Sequence, residues 1–408
     1  MLFRKIAAPL LCILLSASAA FGQFSFQKTK TLFSFEPPKT LTYNTFPRFN
    51  RVEGIALNAV VTLRPKSVKD LSLRTEIGWG FKNEPSQRLF WDAGVEYDFF
   101  LPARLTLGAR AFDEIFTNDD WSISRMENSL QALFAHRDYM DYVGREGVQV
   151  YLDYKLAEVH TVRIEYSDYD YNVLSTSPNT DWSLFSFATD RTFAPNPTPY
   201  PVAAFAPGRE GMIQLAAEFD FRDNPLFPIS GWLIDAVFQK TFRDFETNGL
   251  FLTVKYFRPT FANQRLKTKL LFGSRTGSTA FQHLLTVGGI GTMRGYGFKE
   301  FVGNRMLFGT VQYQFGGDVL QRLPLGFIPF WDTLTLGAFV DFGYAWMAQG
   351  SGEPGLLRFG DNFSITDLRS NFGFSLNIAE GLLSLETARR TDVSGADWNV
   401  FFRVLGKF

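Results

Sequence analysis

Residues 332–346 read DTLTLGAFVDFGYAW. Leu334, Leu336, Ala338, Val340, Phe342, Tyr344 and Trp346 make one unbroken apolar face, while Asp341 stands on the other with Thr333, Thr335 and Gly337. A period of two is what a strand with unlike faces requires. The run exceeds the ~5–6 residues of an ordinary strand and fits the ~9–11 that cross a bilayer at a tilt. A carboxylate in the middle of its polar face calls for a partner.

The alternation recurs in both directions. Ile55, Leu57, Ala59, Val61 and Leu63 share a face, as do Leu71, Leu73, Thr75, Ile77, Trp79 and Phe81. Leu89, Trp91, Ala93, Val95 and Tyr97 lie opposite Arg88, Asp92, Glu96 and Asp98. Further strands are read near 103–116, 145–156, 158–170, 210–222, 230–242, 249–258, 264–277, 305–315, 367–378, 381–391 and 397–408. Alternation alone serves a soluble sandwich with its apolar face inward, or a membrane barrel with that face on lipid. Strand length, and aromatics at strand ends such as Trp79, Trp346 and Trp398, favour the barrel. The expectation is an all-β, transmembrane antiparallel β-barrel.

Composition agrees. The chain has 45 phenylalanines and balances 41 basic against 41 acidic residues, so no basic field points to nucleic acid. Arg4 and Lys5, the apolar run Ile6–Leu15 and the small-x-small triplet Ala20-Phe21-Gly22 read as a cleaved signal peptide over 1–22. The one cysteine, Cys12, falls within it, so the mature chain is expected to carry no disulfide. Residues 23–50, with Pro37, Pro38 and Pro47 and no sustained period, read as a periplasmic lead-in, and 51–408 as the barrel.

Before the strand at 305–315 lies GGIGTMRGYGFKEFVGN, residues 288–304. Its six glycines permit positive φ or close backbone approach, and it is too long for a hairpin turn. Arg294 stands among them beside Tyr296. The loop is expected to fold into the lumen, where Arg294 meets Asp341. Long segments at 171–208 and 278–304 both belong on the outer side, and an even strand count then requires one more strand before 158. The only candidate is 122–136, where Trp121, Met126, Leu130, Leu133 and Phe134 fit a helix as well as a strand. As a strand it brings the count to sixteen; as a helix it leaves another assignment wrong.

Residues 218–232, EFDFRDNPLFPISGW, resemble a turn of the bacterial surface antigen superfamily, the BamA/TamA-like outer-membrane barrels and two-partner secretion transporters. The matching residues are Asp220, Arg222, Asp223, Asn224, Pro225, Pro228 and Gly231. MRGY at 293–296, with Arg294, Gly295 and Tyr296, is similar to the family's sixth-loop motif, and FVDFG at 339–343 to the wall motif that receives its arginine. RFNRVEG at 48–54 is more weakly similar to the start of the barrel in some members. Phe402, Val404 and Phe408, on one face with Trp398, Val400 and Gly406, resemble the C-terminal signal that outer-membrane proteins present to their assembly machinery. The resemblance implies a sixteen-stranded barrel in the bacterial outer membrane, and insertion of proteins into that membrane or their translocation across it. Relatives carry periplasmic POTRA modules, for which 23–50 is too short, which points to a periplasmic partner protein in their place or to a different duty.

No catalytic constellation is visible. His136, His160 and His283 lack metal-ligand spacing, and there is neither a phosphate loop nor a nucleophile elbow. Neither an enzymatic activity, a metal nor a cofactor is expected, and lumen pairs such as Arg163 and Glu165 suit a wet interior. The alternatives are a gated channel for small solutes and, third, an outer-membrane hydrolase.

Overall fold

The computed structural model describes residues 41–408 except 82–88, 101–102, 178–183, 185–190, 200–203, 226, 262–263, 316–323, 325, 328–330, 350–354, 405 and 407. The signal-peptide reading and most of the lead-in lie outside the described residues.

The strands are β1 (Leu41–Asn50), β2 (Gly54–Leu63), β3 (Leu71–Gly80), β4 (Leu89–Phe100), β5 (Arg104–Phe116), β6 (Val143–Leu156), β7 (His160–Val173), β8 (Gly208–Asp220) and β9 (Gly231–Arg243). There follow β10 (Thr247–Pro259), β11 (Arg265–Gly277), the short β12 (Leu285–Val287) and β13 (Phe301–Gly303), then β14 (Arg305–Phe315), β15 (Leu334–Trp346), β16 (Arg369–Ile378), β17 (Leu383–Arg390) and β18 (Asn399–Val404). Among the described residues one α-helix, α1 (Arg125–Ala135), interrupts the series. All but β12 and β13 form one sixteen-stranded antiparallel sheet in chain order, and those two pair within the loop between β11 and β14. Among the described residues no helix is long and apolar enough to cross a membrane; the crossing is made by strands.

Outward-facing side chains make an apolar belt. Ile77, Val150, Ile164, Leu215, Val340, Phe374 and Val400 are exposed, while the residues beside them turn inward and are covered. Inside, Val52, Ile115, Ile123, Tyr142, Ile290 and Phe401 belong to an apolar cluster between the wall and the folded-in loops. The core therefore sits in the lumen, toward the end that carries the long connections, here the outer end. Trp79 and Trp398 are exposed as a girdle requires, but Trp346 is buried beneath the 355–368 segment, where its ring stacks on Phe363 at 4.0 Å.

The strand count is the expected sixteen, with one member exchanged. Residues 122–136 do not form a strand: α1 is built of good helix formers without a β-branched residue, and the Ser124 hydroxyl caps it by accepting from the Glu127 amide. The missing strand is β1, so residues 41–50 belong to the wall and not to a lead-in. Pro47 hid it. The Phe49 amide points away from β2, toward Ser129, and Pro47, two residues earlier, shares that orientation. Its missing N–H therefore falls on the free edge of an edge strand, the place where a sheet tolerates proline.

Lipid facing the belt makes the cost of an outward charge depend on depth. Leu215→Arg, at mid-strand, is expected to destabilise the reconstituted barrel by about 2–4 kcal/mol and Leu156→Arg, at a strand end, by about 0–1. Urea unfolding in lipid vesicles measures both, and equal losses would contradict the depth assignment.

Candidate functional site: a loop lock and an unpaired seam

The loop after β11 enters the lumen and buries Arg294 to 5% exposure against Asp341 at 0%. The guanidinium grips both carboxylate oxygens, Nε to Oδ2 at 2.9 Å and Nη2 to Oδ1 at 2.7 Å, while its Nη1 reaches Glu386 on β17 at 3.1 Å. Asn371 on β16 donates to Asp341 at 2.9 Å, and Thr310 on β14 accepts from Nη2 at 3.2 Å. The guanidinium carbon lies 3.2 Å from the Phe339 ring centre, a cation–π contact. Asp341 and Phe339 both lie on the inward face of β15, as alternation required. The motif's neighbours serve fit. A Cβ on Gly295 would come within 2.5 Å of the Asn371 Cβ and 2.7 Å of the Arg390 amide nitrogen, so any side chain would hold the loop off the wall. Tyr296 donates its hydroxyl to the Ser370 carbonyl at 3.0 Å under the Arg390 guanidinium.

The ion pairs continue to the sheet's edge. Arg403 on β18 stands 4.0 Å from the same Glu386 oxygen and makes a two-pronged bridge to Glu127 of α1 at 2.8 and 3.0 Å, with Glu127 fully buried. Among the described residues no ladder joins β1 to β18. α1 bridges them instead: Ser129 accepts from the Phe49 amide of β1 at 3.3 Å, and Gln131 donates to the Phe402 carbonyl of β18. Met126, Leu130, Leu133 and Phe134 lie together on a half-buried apolar face, while Glu127, Asn128 and Ala132 are buried against the protein.

A second buried network ties the loops above. Lys299 donates to Asp119 and Asp141 at 2.9 and 2.6 Å, and Arg51, at the β1–β2 turn, reaches Asp141 at 2.8 Å. Burial pushes the Asp119 carboxyl up; at Asp141 burial is outweighed by Lys299 and Arg51, which hold it at about 2. RFNRVEG thus ends in a hairpin tip that anchors this cap.

The turn motif lies at the opposite end, apart from the lock. Arg222 clasps Asp220 at 2.7 and 2.8 Å, and Asp223 accepts from the amides of Asn224, Ile229 and Ser230. Asn224 accepts from the Phe227 amide, and Arg222 donates to the Pro225 carbonyl. With Pro228 in the turn and Gly231 at φ +110°, the motif is a self-supporting link between β8 and β9. Phe402 faces outward, but β18 ends at Val404. Phe408 leaves the expected face and packs on Phe257, with its main-chain oxygen accepting from Lys255. Alternation could not show that the strand stops four residues short of Phe408.

Glu386, Arg403, Glu127, Lys299, Asp119 and Asp141 were not singled out from sequence. The one usable signal was Ser124-Arg-Met-Glu127, the Ser-x-x-Glu pattern of a helix start. His283 pairs with Glu210 at 2.6 Å, and among the described residues no group of side chains could hold a metal ion.

Residues 19–224 match a family described as "Family of unknown function (DUF5686) C-terminal domain". The chain belongs to the DUF5686 family. No curated protein matches it in sequence. Among solved structures, BamA from Haemophilus ducreyi lacking POTRA domains 1–3 is similar with a TM-score of 0.56 at 13% identity, over 90% of this chain and 69% of that one. CdiB from Escherichia coli gives 0.43 at 11%, and CdiB from Acinetobacter baumannii 0.41 at 10%. This chain covers 63% and 59% of those two. The DUF5686 chain therefore has the fold of the BamA-like barrels.

Asp341→Asn leaves Arg294 buried with half its neutralisation, a change that costs ~3–5 kcal/mol in closed sites. Limited proteolysis should then cut within 288–304 at least tenfold faster than in the parent protein. Unchanged protection would show that the pair does not hold the loop.

Proposed function

We propose that this DUF5686 protein is a non-enzymatic outer-membrane barrel that handles other polypeptides, inserting outer-membrane proteins or passing proteins across that membrane. The seam carries the reading. In lipid, backbone groups without partners cost several kcal/mol each, and full closure is how barrels remove strand edges. This wall instead keeps β1 and β18 unladdered and covers them with side chains of a helix. An edge kept free of a permanent strand suits a protein whose work is temporary strand addition, in which main-chain hydrogen bonds supply affinity for many sequences. The motif resemblance and the BamA-like fold support the same duty. Outer-membrane lipid surrounds the belt, and a periplasmic partner protein delivering clients belongs to this reading.

A gated solute channel is less well supported, because three loops and the first hairpin tip are bound together inside the outer half by buried ion pairs and by the Thr198 amide donating to Asp141. Depletion in the native cell decides between them. The expected result is at least a twofold change in the abundance of several outer-membrane or secreted proteins at unchanged growth. Unchanged profiles, with large constitutive conductance steps from the purified barrel, would replace this reading with the channel.

A further inference from the structure

We propose that α1 is a built-in competitor at the β1–β18 seam, occupying the backbone positions that an incoming extended segment would use and leaving when such a segment binds. The proposal rests on the polypeptide-handling reading and adds what regulates that site. Three observations carry it. First, α1 takes a main-chain group from each edge: Ser129 the Phe49 amide and Gln131 the Phe402 carbonyl. These are main-chain groups of the two terminal strands, which a paired strand would take in series. Second, the helix is tied to β18 by a bidentate ion pair, Glu127–Arg403, whose cation belongs to β18 itself, while Asn128 joins it to Asp138, Tyr139 and Tyr142 of its own loop and to neither edge. Third, its apolar stripe of Met126, Leu130, Leu133 and Phe134 stays half-buried, so it has not sunk into the core as a permanent element would. The occupant it excludes is an extended segment of alternating apolar and polar residues, since only a strand satisfies consecutive edge amides and carbonyls while presenting an apolar face to lipid.

The test uses the full barrel in lipid vesicles with Ala132→Cys as a reporter. Position 132 is fully buried, and the only natural cysteine is Cys12. A photo-crosslinkable peptide with the sequence of residues 397–408 serves as the strand probe. In the Glu127→Ala variant, maleimide labelling at 132 is expected to quicken at least tenfold, and peptide capture on β1 to rise by a similar factor. The swap Glu127→Arg with Arg403→Glu should lower both again relative to Glu127→Ala, short of the parent level because a carboxylate at position 403 stands beside Glu386. Ser129→Ala with Gln131→Ala, which keeps the ion pair, gives a milder rise in both and covers the case in which Glu127→Ala fails to fold.

Faster labelling without added capture would overturn the proposal, as would equal capture by the parent barrel. Unaltered labelling in both variants would also overturn it, because the named contacts would not be what seats the helix. None of these outcomes depends on the depletion profiles, so a failed plug and a failed client-handling reading are told apart.

Discussion

A guanidinium held inside a membrane barrel must be neutralised where it lies, and the placing of Arg294 depends on that requirement. Water is largely excluded from it, so the charge is tolerated only with carboxylates at hydrogen-bond distance and good geometry. Asp341 supplies both oxygens, Glu386 takes Nη1 and Thr310 accepts from Nη2, Asn371 steadies the Asp341 carboxylate, and Phe339 covers the flat face. Those groups come from β14, β15, β16 and β17, so the loop can dock only when the four strands are in register. Gly295 then sets how close it comes. The lock thus reports correct assembly of that part of the wall, because a one-residue slip would turn Asp341 to lipid.

Much of this was legible from alternation. Asp341 could be assigned to the lumen because seven apolar residues of β15 fix the opposite face, and parity demanded sixteen strands before any contact was known. The exchanged strand shows where the method ends. Parity counts strands without saying which segment supplies one, and it favoured 122–136 because Pro47 obscured 41–50. Proline argues against a central strand but not against an edge, and sequence gives no sign in advance of which strand is the edge. Partners far apart in the chain were beyond reach for a related reason. Glu127 and Arg403 are 276 residues apart, and nothing local to either announces the other. Phe408 was misplaced because a period of two says nothing about where a strand stops.

The loop and the helix hold different positions in one charge network. Among groups in direct contact, Arg294 and Arg403 face Asp341, Glu386 and Glu127. Withdrawing α1 removes Glu127 and leaves two cations against two carboxylates, with Arg403 already 4.0 Å from Glu386 and able to close on it. Withdrawing the loop removes Arg294 and leaves Asp341 on β15, Glu386 on β17 and Glu127 with Arg403 as the cation in direct contact among the described residues. Carboxylates without a counter-charge in a poorly solvated site are the costlier remainder. The same five residues therefore make the loop a lasting part of the barrel and the helix its removable part. Glu386 makes that difference, because it serves Arg294 while α1 is seated and is there to take Arg403 when α1 leaves.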